Sequence, residues 1–455
     1  MELKIGHTDV VVVGGGMAGL TAASYLARAG VDVTLFERAP DLGGRAASQE
    51  FDGFHFNRGI HALYTGGEAS QILRELGVTY GYGLPTKETF VLHGGELLPF
   101  PADPLGLLRA ELLDMGDKLG LIRTFAGLAR LKPHTLARES VQEWLDRNVR
   151  RPQVHRVMAA LARTLVYTTA LDLVSAEVFL TKLRRSLKHP VHYIDGGWQT
   201  LVDALRTVAE GAGARIMSGT RVEAVEHQAG RVQGVRLGDG SLLWASAVIV
   251  ATKPRDAARL VYGGADPALR QIVGGLVPGK LACLDVALGR LPSSRHTIVQ
   301  DLDGPRFLTV QSLYSRVAPE GGALIYTFKQ LDPRRPTDPR EDERDLEDLL
   351  DTAQPGWRDV LVRRQYLPRI EAVSALPTAS GGGFAGRPDP RVPGLTNLYL
   401  AGDWIGPEGF LVDASMASAR RVAQLLLHGG SLSQGMLAAG SIRSGRQVRG
   451  GAEAT

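Results

Sequence analysis

Residues 10–45 constrain what this chain can fold into more tightly than any other stretch. Four β-branched residues in a row, Val10, Val11, Val12 and Val13, read as a buried strand, and Gly14, Gly16 and Gly19 follow at once in the spacing G-x-G-x-x-G. Each glycine answers a separate demand: a tight turn, close approach of backbone to a pyrophosphate, and close packing of helix on strand. The Ala-rich run that begins at Met17 and Ala18 predicts a helix over 17–29. Its N-terminus would offer unpaired N–H groups and a positive dipole end to phosphates. A second apolar run, 31–36, predicts another strand, and it ends on Glu37, an acid able to accept the hydroxyls of an adenosine ribose. Strand, glycine turn, helix, strand and acid fall in the order that a dinucleotide requires.

The residues that follow narrow the dinucleotide. The chain continues R-A-P-D-L-G-G-R from Arg38, and Gly43, Gly44 and Arg45 resemble the G-G-R extension of the flavin amine oxidase superfamily, which includes phytoene desaturases and protoporphyrinogen oxidases. The resemblance implies FAD, with this loop running beside the pyrophosphate toward the isoalloxazine and with Met17, Ala18 and Arg38 among the cofactor contacts. Gly59, Ile60 and His61 resemble the segment that crosses behind the flavin in desaturase-type relatives, which implies that all three lie close to it. His61 reads either as a candidate for catalysis or as a structural histidine. A Gly-Gly turn at Gly196 and Gly197 follows a short strand, as in the same superfamily. The likeness extends to Val222, implied to meet the adenine, and to Ala251 at the end of the strand read over 247–252. The last signature is a strand ending in Gly402-Asp403, whose carboxylate can accept hydrogen bonds from ribityl hydroxyls. Beyond it Phe410, Leu411 and Val412 open a helix, and the likeness implies that its N-terminus faces the N1/C2=O edge of the flavin, where negative charge develops on reduction.

The implied fold class is α/β. A discontinuous Rossmann-type FAD-binding domain would comprise 1–66, 192–254 and 394–428. A second, mixed-sheet and helical substrate domain would comprise 67–191 and 255–393, with a helical insert at 103–190, and 429–455 reads as a disordered tail. Within the second domain, two short apolar runs around His93-Gly94-Gly95 predict a hairpin, 281–288 and 322–329 predict strands, and 332–351 predicts a loop followed by an exposed acidic helix.

Composition removes other classes. Apolar and charged fractions of 44% and 22% are those of a soluble globular protein. No run of 18 apolar residues exists, the N-terminus does not read as a signal peptide, and a single cysteine, Cys283, leaves no intrachain disulfide and no thiolate metal site. These features predict a cytoplasmic protein. The formal charge of +4 is concentrated in 103–190, which holds 15 Lys/Arg against 9 Asp/Glu on segments with helical apolar spacing at Leu119, Leu121, Ile122, Phe125, Leu128 and Leu131. No aromatic-interleaved basic patch points to nucleic acid. The segment reads either as the solvated face of a helical subdomain or as a surface that meets an anionic membrane peripherally, at its inner face.

Only one dinucleotide fingerprint is present, so no separate NAD(P)H site is expected. The substrate itself would reduce the flavin, and oxygen or a quinone would reoxidise it. Amine oxidases of the superfamily place a lysine near flavin N5 and an aromatic cage around the amine. Aligned on Cys283, that lysine slot holds Ala282, Lys280 lies two residues earlier as a possible substitute, and Phe410 stands where a cage tyrosine is usual. These departures favour hydride removal from an apolar isoprenoid- or tetrapyrrole-like molecule. Oxidation of a small amine, or a flavin-dependent isomerisation, are the alternatives. No cysteine lies near 380–383, where covalent flavin attachment would need one, so noncovalent FAD is expected.

Overall fold

The computed structural model describes residues 5–100, 106 and 110–428. The expected tail at 429–455, and part of the insert at 103–190, lie outside the described residues. Two seven-stranded sheets organise the chain.

In the first sheet the strands Arg215–Met217, Val33–Phe36, Ile5–Val13 and Leu242–Val250 run parallel, in that order. The hairpin Val222–Gln228 and Arg231–Leu237 covers the first half of Leu242–Val250, and Leu398–Leu400 takes over its second half in parallel. The valine run pairs on both sides, Val10–Val13 with Val33–Phe36 and with Ala247–Val250, so continuous apolar sequence is what the position demands. Helices Met17–Arg28, Gln199–Gly211 and Val412–His428 cover one face and share a core with Val10, Val12, Leu35 and Ile249. This is the Rossmann-type α/β unit that the sequence predicts.

The second sheet runs Leu361–Val373, Gly279–Leu288, Ala323–Gln330, Arg306–Val310, Ile298–Asp301, Phe90–His93, Glu96–Pro99, and only Ile298–Asp301 with Phe90–His93 is a parallel pair. The expected hairpin turns at Gly94 and Gly95, both with positive φ (60° and 84°), a backbone that suits glycine. The acidic helix Pro339–Ala353 differs from its expectation. Most of its charged residues are solvated, but Asp342 is buried beside Lys329, and Leu346, Leu349 and Leu350 are buried against Leu284, Val286 and Leu288 of the strand Gly279–Leu288. Their spacing of three and four residues is that of one helix face.

The helices Met115–Leu128, Val141–Asn148, Pro152–Val166 and Ala176–Lys188 form a third core around Trp144, Met158, Phe179 and Leu180. Among the described residues no helix is long and apolar enough to cross a membrane. The helix Met115–Leu128 divides its apolar residues: Leu121 and Leu128 are buried, whereas Met115, Leu119 and Ile122 are exposed.

Candidate functional site

The glycine motif closes where the first strand meets its helix. Gly14 has φ +112°, and a Cβ there would lie 2.6 Å from the Ala251 carbonyl oxygen; a Cβ on Gly19 would lie 1.8 Å from the Gly14 carbonyl oxygen. Strand end, turn and helix therefore touch through backbone. The Gly43 N–H donates to the Gly15 carbonyl at 2.8 Å and brings the Gly43-Gly44-Arg45 loop alongside. Gly16 and Gly44 border the space between these two glycine runs, and a side chain on either would fill it. No side chain caps the helix Met17–Arg28 and no acid lies in its first turn, so its leading N–H groups are left for an anion. Met17 and Ala18 themselves are buried, with their side chains in the core.

At the far end of that space Glu37 accepts from the Gly15 N–H at 2.7 Å through Oε2 and from the Ala39 N–H at 2.9 Å through Oε1. Each oxygen keeps a second lone pair for a hydroxyl. The Glu37 carbonyl accepts from Thr220, which brings Val222 to the same strand ends. Ala251 follows the end of its strand there, its N–H bonded to the Val13 carbonyl. Arg38 points outward to Asp256 at 3.6 Å, an exposed ion pair.

The other end is built from three distant segments. Arg45 donates to Asp403 as a fork, Nη2 to Oδ1 at 2.6 Å and Nη1 to Oδ2 at 2.9 Å, and the Ser374 N–H donates to Oδ2 at 2.8 Å. Asp403 is 1% exposed and Arg45 37%. Burial alone would raise the Asp403 pKa; the Arg45 charge and these hydrogen bonds hold it below the usual carboxylate range. Gly402, next to it, is tied to the helix Val412–His428 through the Ser418 hydroxyl, which accepts from the Gly402 N–H at 2.9 Å. The expected ribityl carboxylate is thus also the counterion of Arg45.

His61 joins this cluster. Its Nδ1 lies 2.9 Å from the Gly59 carbonyl, which can only accept, so Nδ1 carries the proton. Its ring is 4.9 Å from that of Trp198. Burial lowers the His61 pKa and the Arg45 charge adds to the effect, so the ring is neutral at pH 7. Among the described residues the buried Trp198 Nε1 has no acceptor. Gly59, at φ +83°, packs on Cys283 and Ile370, and Ile60 packs with Leu281, Cys283 and Phe328. A capless helix end, an open glycine cradle and an orphaned indole N–H are all features that a flavin dinucleotide would complete, so these residues fit FAD.

Lys280 stands apart from this cluster. Leu281 and Cys283 face Ile60, whereas Ala282 and Leu284 face the helix Pro339–Ala353. Lys280 is in step with Ala282, on the side away from His61, because strand side chains alternate. The expectation that Lys280 substitutes for a catalytic lysine is not met by this register.

A different lysine lies inside. Lys182, 7% exposed on the helix Ala176–Lys188, has its Nζ at 4.1 Å from the ring centroid of Tyr64, 5.0 Å from that of Phe410 and 5.2 Å from that of Tyr167. Phe410 thus turns toward Lys182, Leu411 (φ 56°) packs on the same helical core, and Val412 returns to the core of the first sheet. Tyr64, Lys182, Phe410 and Asp413 line a cavity of about 460 Å³ whose lining also includes Lys188 and His189. The signal for Lys182 is present in the sequence. It falls on the buried stripe of its helix with Val178, Phe179 and Leu183, where a lysine is out of pattern.

The comparisons with known proteins concern the family and the fold. The family model of flavin containing amine oxidoreductases matches residues 17–281, more than half of the chain. The chain belongs to that family. Within it, 51 residues are 61% identical to a carotenoid 3,4-desaturase of Haloarcula japonica, a match that spans 11% of this chain and 10% of that protein. A 4,4'-diapolycopen-4-al dehydrogenase of Metabacillus indicus is 22% identical over 88% of this chain and 93% of its own length. The crystal structure of an oxidoreductase from Methanosarcina mazei superposes with a TM-score of 0.74 at 21% identity, covering 91% of this chain and all of that one, which establishes the likeness of fold.

Proposed function

We propose that this FAD-dependent oxidoreductase removes hydride from a carbon centre of an apolar isoprenoid- or tetrapyrrole-like molecule, in the manner of a desaturase. The observation that carries the reading is the Lys182 side chain inside the ring cage. A cage of three aromatic faces would suit a substrate cation, but here the chain's own amine fills it. An alkylammonium substrate would meet an occupied cage. The cluster that packs on Tyr167 of the cage, with Ile60, Leu281, Phe307, Phe328 and Leu367, is apolar. The carotenoid-related names among the relatives support an apolar substrate of the same kind.

FAD supplies the hydride acceptor, and oxygen or a quinone returns it to the oxidised form. The cofactor is held noncovalently in this reading: the only cysteine, Cys283, is buried in its strand, so acid or heat precipitation should release FAD into the supernatant. Flavin retained in the pellet would reject that part. The decisive experiment is anaerobic. Phytoene in detergent should bleach the flavin whereas putrescine should not, and the reverse result would establish amine oxidation. A need for pre-reduced flavin without net turnover would establish an isomerase.

A peripheral membrane contact on the cytoplasmic face belongs to the same proposal. Met115, Leu119 and Ile122 expose apolar surface at helical spacing, with Arg123, Arg130 and Lys132 beside them. Binding to anionic vesicles that weakens as salt rises is the expected outcome.

A further inference from the structure

Removing two hydrogens from adjacent carbons takes away one hydride and one proton, and the proton needs an acceptor within reach of the substrate. We infer that Lys182 is the proton acceptor of this dehydrogenation and that the ring cage of Tyr64, Tyr167 and Phe410 exists to hold the ammonium it becomes. The inference rests on the desaturase reading above.

Four observations support it. First, the Lys182 Nζ is buried, borders the cavity and has no carboxylate within ion-pair distance among the described residues, so its charge is not locked into a bridge. Second, three ring faces within 4.1 to 5.2 Å stabilise the protonated form without adding a charged partner. Third, the cage is continuous with the flavin-side segment. The Tyr167 ring stacks on Phe328 at 6.2 Å, and both pack in the cluster of Ile60 and Cys283. Fourth, burial pulls Lys182 down to about 7, against the opposing charge of Asp413, so the neutral amine is accessible near physiological pH.

The charges around Lys182 are accounted for element by element. From the helix Val412–His428, Asp413 accepts from the Ala69 N–H at 2.9 Å and lies 3.6 Å from Arg185. From Lys182's own helix, Arg185 is forked onto Glu68 of the helix Glu68–Glu75, and Glu177 accepts from the Phe384 N–H. Glu408, also in the cavity lining, lies 3.8 Å from Arg420, and His134, Arg184, Lys188 and His189 complete the charged and titratable lining. The acids hold partners other than Lys182, and Asp413 acts on Lys182 through its charge without an ion pair within 4 Å among the described residues.

The step balances. One C–H passes its hydrogen with both electrons to the oxidised flavin. The neighbouring C–H passes its proton to the neutral Lys182 amine, and the electron pair left behind closes the C=C bond. The substrate is oxidised by two electrons, the flavin is reduced by two, and the Lys182 proton then leaves to solvent through the cavity mouth.

The test uses the flavin-loaded full chain. Competitive acetylation of Lys182 against pH, read by mass spectrometry, should give a midpoint near 7; a midpoint in the ordinary lysine range near 10 would overturn the inference. Anaerobic bleaching by phytoene should rise with pH through a limb near 7. In Lys182→Met the rate should fall by about 100-fold, with flavin content and phytoene affinity as in the parent. Lys182→Gln is the second variant in case the first folds poorly. Ethylamine should restore part of the rate to Lys182→Ala. Asp413→Asn, which removes the charge that favours the ammonium, should move the limb to lower pH. Parental bleaching rates in both Lys182→Met and Lys182→Gln, or a fall explained wholly by weaker phytoene binding, would reject Lys182 as the proton acceptor while leaving the desaturase reading intact. A parent protein that phytoene does not bleach would defeat the reading itself, and the inference with it.

Discussion

Of the clusters that set a cation near a buried carboxylate, two behave in opposite ways. Arg45 and Asp403 meet as a fork at 2.6 and 2.9 Å, with the Ser374 N–H completing the carboxylate's shell. Arg45 is raised and Asp403 lowered, so both stay charged at any pH the protein meets. Lys182 and Asp413 share one cavity but make no ion pair within 4 Å among the described residues. Burial then prevails over attraction: Lys182 falls to about 7 and Asp413 rises to about 6. The two clusters differ in contact rather than in composition. A direct, hydrogen-bonded pair outweighs desolvation and makes a fixed strut, whereas a separated pair leaves desolvation in command and yields groups that exchange protons.

The largest effect that would break this comparison comes from the strut. Asp403→Ala strips Arg45 of its counterion and leaves the Ser374 N–H without an acceptor. A loss of about 3 kcal/mol, toward the lower end for a broken buried pair because Arg45 is partly open, should appear as a drop in melting temperature and in flavin occupancy. A variant with unchanged melting would show that the pair is not structural.

Next in size is the pH dependence of Lys182→Met. The folded-state pKa of Lys182 lies below its unfolded value near 10.4, so the unfolded chain binds more protons between about pH 7 and 10 and stability rises with pH there. The cost of the buried ammonium is full below pH 7. Relative to the parent, Lys182→Met should therefore be favoured most at pH 6 and lose about 1–3 kcal/mol of that advantage by pH 9 in denaturant titrations. A stability difference that does not change with pH would mean that Lys182 is as fixed as Arg45.

A smaller effect sharpens the geometry. Arg45→Lys keeps the charge but cannot fork onto two oxygens, and should cost about 1–2 kcal/mol with the Asp403 strut otherwise retained. If it costs as much as Asp403→Ala, the fork matters more than the charge. The smallest effect lies outside both clusters. Charge reversal at Arg123, Arg130 or Lys132 should weaken anionic-vesicle binding by on the order of 1 kcal/mol each, with melting unchanged, because these groups are solvated rather than buried. Vesicle binding equal to the parent would assign this helix to packing alone.

How much of this was legible in the sequence follows the range of the interactions. The glycine turn, its helix and Glu37 all fall within 24 residues, and their spacing states their geometry. Asp403 was visible as a strand-end acid, but its partner Arg45 is 358 residues away, and nothing in either segment names the other. Lys280 stood as a candidate in the sequence because a lone strand has no marked inner face. Only its packing, with Cys283 toward Ile60 and Ala282 toward the acidic helix, assigns one. Lys182 counted as one of the 15 positive charges of its segment, although Val178, Phe179 and Leu183 beside it marked a buried stripe.

By itself the sequence determined the nucleotide-binding unit. A tight turn, a backbone open to phosphate and a helix pressed onto a strand each require glycine at a fixed spacing, and that is a local requirement. Only the tertiary structure decided which buried charges are permanent and which titrate. That outcome depends on whether two groups from distant segments touch or merely share a cavity, and on how much water the fold leaves between them. No single segment contains that distance, so only the assembled fold could set it.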